Sequence, residues 1–192
     1  MSNKYSVMLV DDEEDVAQAI LRKLDLEDMG FEKPSYAHNG FEALEMAEND
    51  MPDVVMTDIK MPYMDGLELG RQIKQLNPAV RIIIFSGFDE FEYAKEAIRL
   101  EAEEYILKPV DAVELRNVFT RIHETLDKET DEKQNVEKLT SYYLESLPLL
   151  KEDFFSSLLE GRLEKNKINE YEKDYRLDFH GPLFCIAVIH TS

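Results

Sequence analysis

Short runs of β-branched and apolar residues recur along about the first 125 residues and predict five strands buried on both faces. These strands cover residues 5–10, 33–37, 54–57, 81–85 and 104–107, of which the second and fifth have the weaker pattern. Between them, apolar residues recur every three or four positions, which is typical of amphipathic helices. Because strand and helix alternate five times, the sequence predicts an α/β fold with a doubly wound parallel sheet.

The predicted helices differ in how clearly their ends are marked. Apolar positions with helical spacing occupy residues 16–24, 43–47, 67–76 and 93–98. A fifth helix begins at about Asp111, a good N-cap residue, with Glu114 at the spacing of a capping box. The first domain is therefore expected to cover residues 1–125.

Polar side chains follow four of the predicted strands. Asp11 and Asp12 come after the first, Asp58 after the third, Ser86 after the fourth and Lys108 after the fifth. Ligands of an open parallel sheet bind outside the carboxyl ends of its strands, so we expect these side chains to converge. The sequence therefore predicts a site for a metal ion and a phosphate.

The chemistry of these groups is complementary. Carboxylates a few ångströms apart need a cation, and hard oxygen ligands favour Mg²⁺ or Mn²⁺. Asp58 is the best nucleophile for forming an aspartyl phosphate, Lys108 supplies positive charge and Ser86 a hydrogen bond. Taken singly, each has a simpler interpretation: an acidic helix start at Asp11 and Asp12, a solvated lysine and a turn serine.

Composition limits the partners that this chain can have. The formal net charge of -19 predicts repulsion of nucleic acid backbones, so DNA contact must come from another part of the protein. Cys185 is the single cysteine, which excludes an internal disulfide. No apolar stretch is long enough for a signal peptide or a membrane span, so we expect a cytoplasmic protein without a membrane partner.

Four strings resemble the receiver domain of two-component response regulators: LVDDEE at 9–14, MTDIKMPYMDGLEL at 56–69, FSG at 85–87 and YILKP at 105–109. The resemblance covers about the first 125 residues. It implies a flavodoxin-like five-stranded sheet with the order 2-1-3-4-5. It also implies a sensor histidine kinase as the partner that phosphorylates Asp58.

The resemblance assigns further roles around Asp58. The implied Mg²⁺ ligands are Asp11, Asp12, Asp58 and the backbone carbonyl of Lys60. Lys108, aimed inward by a cis bond to Pro109, is implied to contact the phosphoryl group.

The resemblance also implies a switch. Ser86 is the implied switch hydroxyl, and Tyr105 is the implied switch aromatic that turns inward when Ser86 moves toward the phosphate. A half-buried strand aromatic is the alternative for Tyr105. We also expect bulky Phe88, two residues after Ser86, to slow hydrolysis of the aspartyl phosphate; its alternative role is packing on the next helix.

A charged segment follows the part of the chain that resembles a receiver. Residues 126–147 are expected to form a helical linker that extends the fifth receiver helix. Seven-residue steps from Leu115 through Ile122, Glu129, Val136 and Tyr143 to Leu150 are apolar except at Glu129, a short and imperfect coiled-coil pattern. An isolated solvated helix between two domains is the alternative.

Residues 148–192 predict the start of a truncated second domain of the α/β or α+β class. An amphipathic run at 153–163 and a helix at 167–175 precede a buried strand at 183–189, in which Cys185 is a small apolar residue. A lone strand needs partners, which either lie in a missing remainder or come from a second copy of the chain.

The order of receiver, charged helix and FFSSLLEGR at 154–162 resembles AraC-type (YesN-like) DNA-binding response regulators. This implies a regulator rather than an enzyme, dimerising on phosphorylation and controlling transcription through a C-terminal domain absent from this chain. An enzymatic or protein-interaction output is one alternative. A Mg²⁺-dependent phosphohydrolase is another alternative. One common form of that chemistry requires two aspartates separated by one residue, whereas here Asp11 is followed by Asp12 and Glu13.

Overall fold

The structure is a computed structural model that describes residues 4–15, 19, 22, 24–87, 91–175 and 177. The chain divides into two compact units, Met1–Glu129 and Thr130–Ser192. The first unit contains the sheet, and the second is helical in the residues that the structure describes.

Five parallel strands form one sheet in the order β2-β1-β3-β4-β5. They are β1 (Val7–Val10), β2 (Ser35–Ala37), β3 (Val54–Asp58), β4 (Arg81–Ser86) and β5 (Glu104–Leu107). The predicted doubly wound α/β fold and the flavodoxin-like order are therefore confirmed. Asp58 and Ser86 are the last residues of their strands rather than the first residues after them.

Five helices have bounds that the structure describes: α1 (Gly40–Asn49), α2 (Gly66–Leu76), α3 (Phe91–Arg99), α4 (Ala112–Leu159) and α5 (Lys165–Asp174). The Asn39 and Asp65 side chains cap α1 and α2 by accepting hydrogen bonds from backbone amides. Asp111 accepts hydrogen bonds from the amides of Val113 (2.8 Å) and Glu114 (3.0 Å), as its predicted N-cap role requires. Most of the helix predicted at 16–24 lies outside the described residues.

The sheet is the middle layer between two apolar clusters. Successive strand residues point to opposite faces, so Leu9 joins one cluster while Met8 and Val10 join the other. The first cluster includes Phe85 of β4 and Phe119 of α4. Burial on both faces explains why β1 and β3 are continuous apolar runs up to the site residues.

The helix α4 begins in the first unit and continues into the second. Its residues Leu115 and Ile122 are fully buried in the first core cluster, whereas Val136 and Leu139 are 63% and 68% exposed. Leu115 and Ile122, the first two positions of the seven-residue pattern, therefore pack in the core of the first unit, and a coiled coil after Glu129 stays a prediction. Although α4 is long, no helix in the described ranges is apolar enough over a sufficient length to cross a membrane.

In the second unit, α4 packs against α5 through aromatic rings. The ring centroid of Phe154 lies 5.6 Å from that of Tyr171 and 6.1 Å from that of Tyr175. The Tyr143 hydroxyl donates a hydrogen bond to the carbonyl of Asp174 at 2.8 Å.

The bounds of this unit differ from expectation in two places. α4 passes through Pro148, so the domain boundary predicted between 147 and 148 falls inside a helix. It ends before the amphipathic run at 153–163 does, because Gly161 adopts a φ of 69° and the Arg162 amide donates to the Ser157 carbonyl. The strand predicted at 183–189, with Cys185, lies outside the described residues, as does Phe88.

Candidate functional site

Three carboxylates meet at the carboxyl end of the sheet. Asp11 and Asp12 follow β1, Asp58 ends β3, and one oxygen from each lies within 4.8 Å of the others. Asp11 is fully buried and Asp58 is 8% exposed, whereas Asp12 faces solvent. The predicted convergence of these aspartates is what the parallel sheet produces.

Lys108 bridges two of the carboxylates from the end of β5. Its Nζ lies 2.9 Å from Asp58 Oδ1 and 3.1 Å from Asp11 Oδ2. The ammonium group also lies 5.0 Å from the centroid of the Phe85 ring. The Lys108–Pro109 bond is cis, as the resemblance implied, and the Lys108 amide donates to the Ser86 carbonyl at 2.7 Å.

The electrostatics of the site favour a further cation. Burial raises the pKa of the Asp58 carboxyl and outweighs the opposite effect of Lys108, while the charge of Asp11 raises it further. Burial lowers the pKa of Lys108, but the hydrogen bond and charge of Asp58, and then the charge of Asp11, raise it overall. One lysine therefore contacts two members of a group of three carboxylates, and these hard oxygen donors fit a small divalent ion such as Mg²⁺.

The backbone around Asp58 is held from several sides. The Thr57 hydroxyl donates to the Asp58 carbonyl at 2.9 Å, and the Gly66 amide donates to the Ile59 carbonyl at 3.0 Å. A Cβ at Gly66 would lie 2.0 Å from the Asp58 carbonyl oxygen, so only glycine allows α2 to start this close to the site. The Asp65-Gly66 pair in the sequence is typical of such a turn.

Asp11 has its own set of contacts, one of which sequence reasoning missed. Its Oδ1 accepts a hydrogen bond from the Glu13 amide at 2.8 Å, and its amide donates to the Ala37 carbonyl at 3.2 Å. The missed contact comes from Tyr36 of β2, whose hydroxyl donates to the Asp11 carbonyl at 2.5 Å. Burial, followed by the charges of Asp11 and other nearby acids, raises the pKa of Tyr36, so the hydroxyl stays protonated.

The remaining predicted site residues differ in how deeply they are buried. Ser86 ends β4 and is 1% exposed, and Tyr105 of β5 is half-buried against the second core cluster. Lys60 is exposed, with its Nζ 5.9 Å from the centroid of the Tyr93 ring of α3. The roles assigned to these three residues stay predictions.

Comparison with known proteins agrees with this geometry. A family model described as response regulator receiver domain matches residues 7–120. The receiver (REC) domain of AraT, a response regulator from Geobacillus stearothermophilus solved as a selenomethionine derivative, matches with a TM-score of 0.62 and 38% identity. That match covers 68% of this chain and 99% of the AraT chain.

Two relatives extend the comparison to whole proteins. The uncharacterized transcriptional regulatory protein YesN of Bacillus subtilis is 36% identical over 70% of this chain, which corresponds to 37% of the length of YesN. An uncharacterized response regulatory protein of Staphylococcus epidermidis is 30% identical over 93% of this chain and 69% of its own length. Since the similarity is continuous over the receiver and its sheet has the expected strand order, the chain belongs to the response regulator receiver family of two-component systems.

Proposed function

We propose that this chain is a phosphorylation-activated response regulator in which Asp58 accepts a phosphoryl group from a sensor histidine kinase. The observation that carries the proposal is the position of Asp58, which ends a buried strand with Lys108 2.9 Å away and two further carboxylates beside it. A buried carboxylate held against a lysine and acidic neighbours is suited to nucleophilic attack on phosphorus.

Asp11, Asp12 and Asp58, together with the backbone carbonyl of Lys60, would hold Mg²⁺, or Mn²⁺ in its place. The bound ion supplies positive charge that offsets the repulsion among the carboxylates and the transferred oxygens. The surplus of carboxylates over lysine in this group supports the assignment.

In the transfer, an oxygen of Asp58 forms a bond to phosphorus as the bond from phosphorus to the kinase histidine breaks. Lys108 already lies within hydrogen-bond distance of Asp58, so its ammonium group is in place to bind an oxygen of the incoming phosphoryl group. The raised pKa of Lys108 keeps this group charged throughout.

Ser86 and Tyr105 would transmit the change. The phosphoryl group adds about two negative charges and three acceptor oxygens at the end of β3, and we assign Ser86 as the donor to one of them. Movement of Ser86 toward Asp58 makes room for Tyr105, which lies one strand further along the sheet at the edge of the second core cluster.

The output that we propose is control of transcription, with a homodimer forming on phosphorylation and an AraC-type DNA-binding domain outside this chain. Two observations support it: YesN is named a transcriptional regulatory protein, and the similarity to the S. epidermidis regulator continues past the receiver. The alternatives of an enzymatic output and of a phosphohydrolase have no comparable support among these relatives.

Intact-mass spectrometry after incubation with Mg²⁺ and acetyl phosphate tests the chemistry. The wild-type chain is expected to gain one phosphoryl group and Asp58→Asn none, with a doubling of mass by light scattering on phosphorylation. Asp53→Asn is the matched control, because Asp53 directly precedes the same strand at its other end. An adduct retained in Asp58→Asn, or no adduct on a folded wild-type chain that binds Mg²⁺, would contradict the proposal.

A further inference from the structure

Tyr36 makes a contact that the phosphoacceptor chemistry does not explain. It is the middle residue of β2 and pairs with Leu9 of β1. Its hydroxyl extends past the end of β1 and donates to the backbone carbonyl of Asp11 at 2.5 Å. A side chain of β2 thus holds the main chain of Asp11, one of the three clustered aspartates.

The path of the chain after β2 explains why the Asp11 carbonyl takes its hydrogen bond from a side chain. The ladder between β1 and β2 ends with the pair Val10 and Ala37 and the hydrogen bond from Asp11 to Ala37. Alternate strand amides face opposite edges, so the His38 amide faces away from β1 and donates to Glu42 at 2.9 Å. The next ladder donor toward β1 would be the amide of Asn39, where β2 has already ended and α1 is capped. With β2 finished, the Tyr36 hydroxyl takes the place of a ladder donor.

The Tyr36 ring is itself held in place. It packs edge-on against the His38 ring, with centroids 4.7 Å apart, and lies against the first core cluster. A ring restrained on both sides presents its hydroxyl in one direction, so the bond to Asp11 constrains the loop after β1.

We propose that Tyr36 is a positioning residue for the metal site, acting through the Asp11 backbone. This inference rests on the proposed function, in which Asp11 is a Mg²⁺ ligand. The Asp11 carboxylate is oriented by the Glu13 amide and by Lys108, but both contacts act on the side chain. Tyr36 holds the main chain from which that side chain extends, so the carboxylate oxygens keep their position before the ion arrives.

The test compares two variants that each lose one tyrosine hydroxyl from the full chain. Tyr36→Phe removes the bond to Asp11 and keeps the ring contacts. Tyr5→Phe removes a hydroxyl that donates to Asp127 at 2.8 Å. Tyr5 lies roughly 20 Å from Asp11, given about 3.3 Å per residue of extended chain. The dissociation constant for Mg²⁺ is measured by calorimetry and from the Mg²⁺ dependence of the melting temperature.

We expect Tyr36→Phe to raise the Mg²⁺ dissociation constant by about tenfold, the lower end of the effect of removing a partner of a metal ligand. Tyr5→Phe should leave it unchanged, while both variants show similar small losses of stability in EDTA. The rate of phosphorylation by acetyl phosphate should recover in Tyr36→Phe at saturating Mg²⁺.

Two different failures are distinguishable. Equal Mg²⁺ affinity in the wild type and Tyr36→Phe would overturn the role of Tyr36 and leave the proposed function standing. Equal weakening in Tyr5→Phe would show that the effect is general destabilisation, which also overturns it. A folded wild-type chain that binds no Mg²⁺ would contradict the proposed function and this inference together.

Discussion

The carboxyl and amino ends of the sheet differ in how their acidic side chains are paired. At the carboxyl end, Lys108 contacts Asp11 and Asp58, Asp12 lies beside them, and burial raises the pKa of Asp58. At the amino end, Asp127 accepts a hydrogen bond from Tyr5 at 2.8 Å and lies 3.4 Å from His123 Nδ1, so a single carboxylate has two polar partners.

A second set of contacts at the amino end places one cation between two acids. Arg81, the first residue of β4, pairs with Glu103 at 3.8 Å and forms a shorter ion pair with Glu129 of α4. These contacts tie the receiver part of α4 to the strands that it covers. The two ends therefore differ in the number of acids around each cation, since Arg81 pairs with two carboxylates whereas three carboxylates lie together beside Lys108. We interpret the larger acidic group as the ligand site.

Lys108→Ala should have the largest effect on the free energy of unfolding. It leaves Asp58 and Asp11 without a cation, so the free energy of unfolding in Mg²⁺-free buffer should fall by about 2 kcal/mol, less than for a fully buried pair because Lys108 is partly exposed. Saturating Mg²⁺ should recover most of this loss. Urea unfolding with and without Mg²⁺ measures both effects.

Lys4→Ala is the control for that experiment at the amino end. Lys4 is 51% exposed and lies 4.0 Å from Glu27, so its loss should change the unfolding free energy by less than about 0.5 kcal/mol at any Mg²⁺ concentration. A similar loss in both lysine variants would show that the excess charge at the carboxyl end has no special effect.

Arg81→Met should have a smaller destabilising effect that, unlike that of Lys108→Ala, does not depend on Mg²⁺. Removing the cation between Glu103 and Glu129 should lower the free energy of unfolding by about 1 kcal/mol, with no dependence on Mg²⁺. The initial rate of phosphorylation by acetyl phosphate should match that of the wild type. The exposed Arg71 provides the control variant Arg71→Met, and a slower phosphorylation rate in Arg81→Met alone would mean that the two ends are coupled.

The pH dependence of stability gives the smallest effect. Because the folded-state pKa of Asp58 is raised, its contribution to stability is present below the unfolded pKa of about 3.9 and is lost as pH rises through the folded pKa. In EDTA, Asp58→Asn should therefore gain stability relative to the wild type as pH rises from about 4 to about 7, because the wild-type carboxyl must ionise in a buried position. Denaturant unfolding across this range checks the sign, and a constant difference would argue against it.

Much of the fold follows from patterns that depend on local sequence. Strands buried on both faces are continuous apolar runs, so β1, β3 and β4 were predicted to within one or two residues of their ends. The parallel-sheet rule then placed Asp11, Asp58 and Lys108 at one edge, where the structure has them. The strand order came from the family resemblance rather than from periodicity.

Two features depend on tertiary geometry and could not be predicted in this way. The contact of Tyr36 exists because the chain turns away after Ala37, which no spacing along the sequence reveals. Pro148 favours a helix end by its missing amide, yet α4 continues through it. Aromatic packing of Phe154 on α5 stabilises the turns that follow, and such packing overrides local preference.

The contacts of α4 with the first core cluster, Tyr5 and Arg81 determine where the receiver can be cut from the rest of the chain. The family match stops at residue 120, but the buried side chains of Ile122 and Leu126 and the partners of Tyr5 and Arg81 come later. A fragment ending at residue 120 would lose the buried side chains of Ile122 and Leu126, expose the apolar residues that they cover, and aggregate. One ending just after Glu129 retains every one of these contacts, and it is the fragment to express for studying the receiver alone.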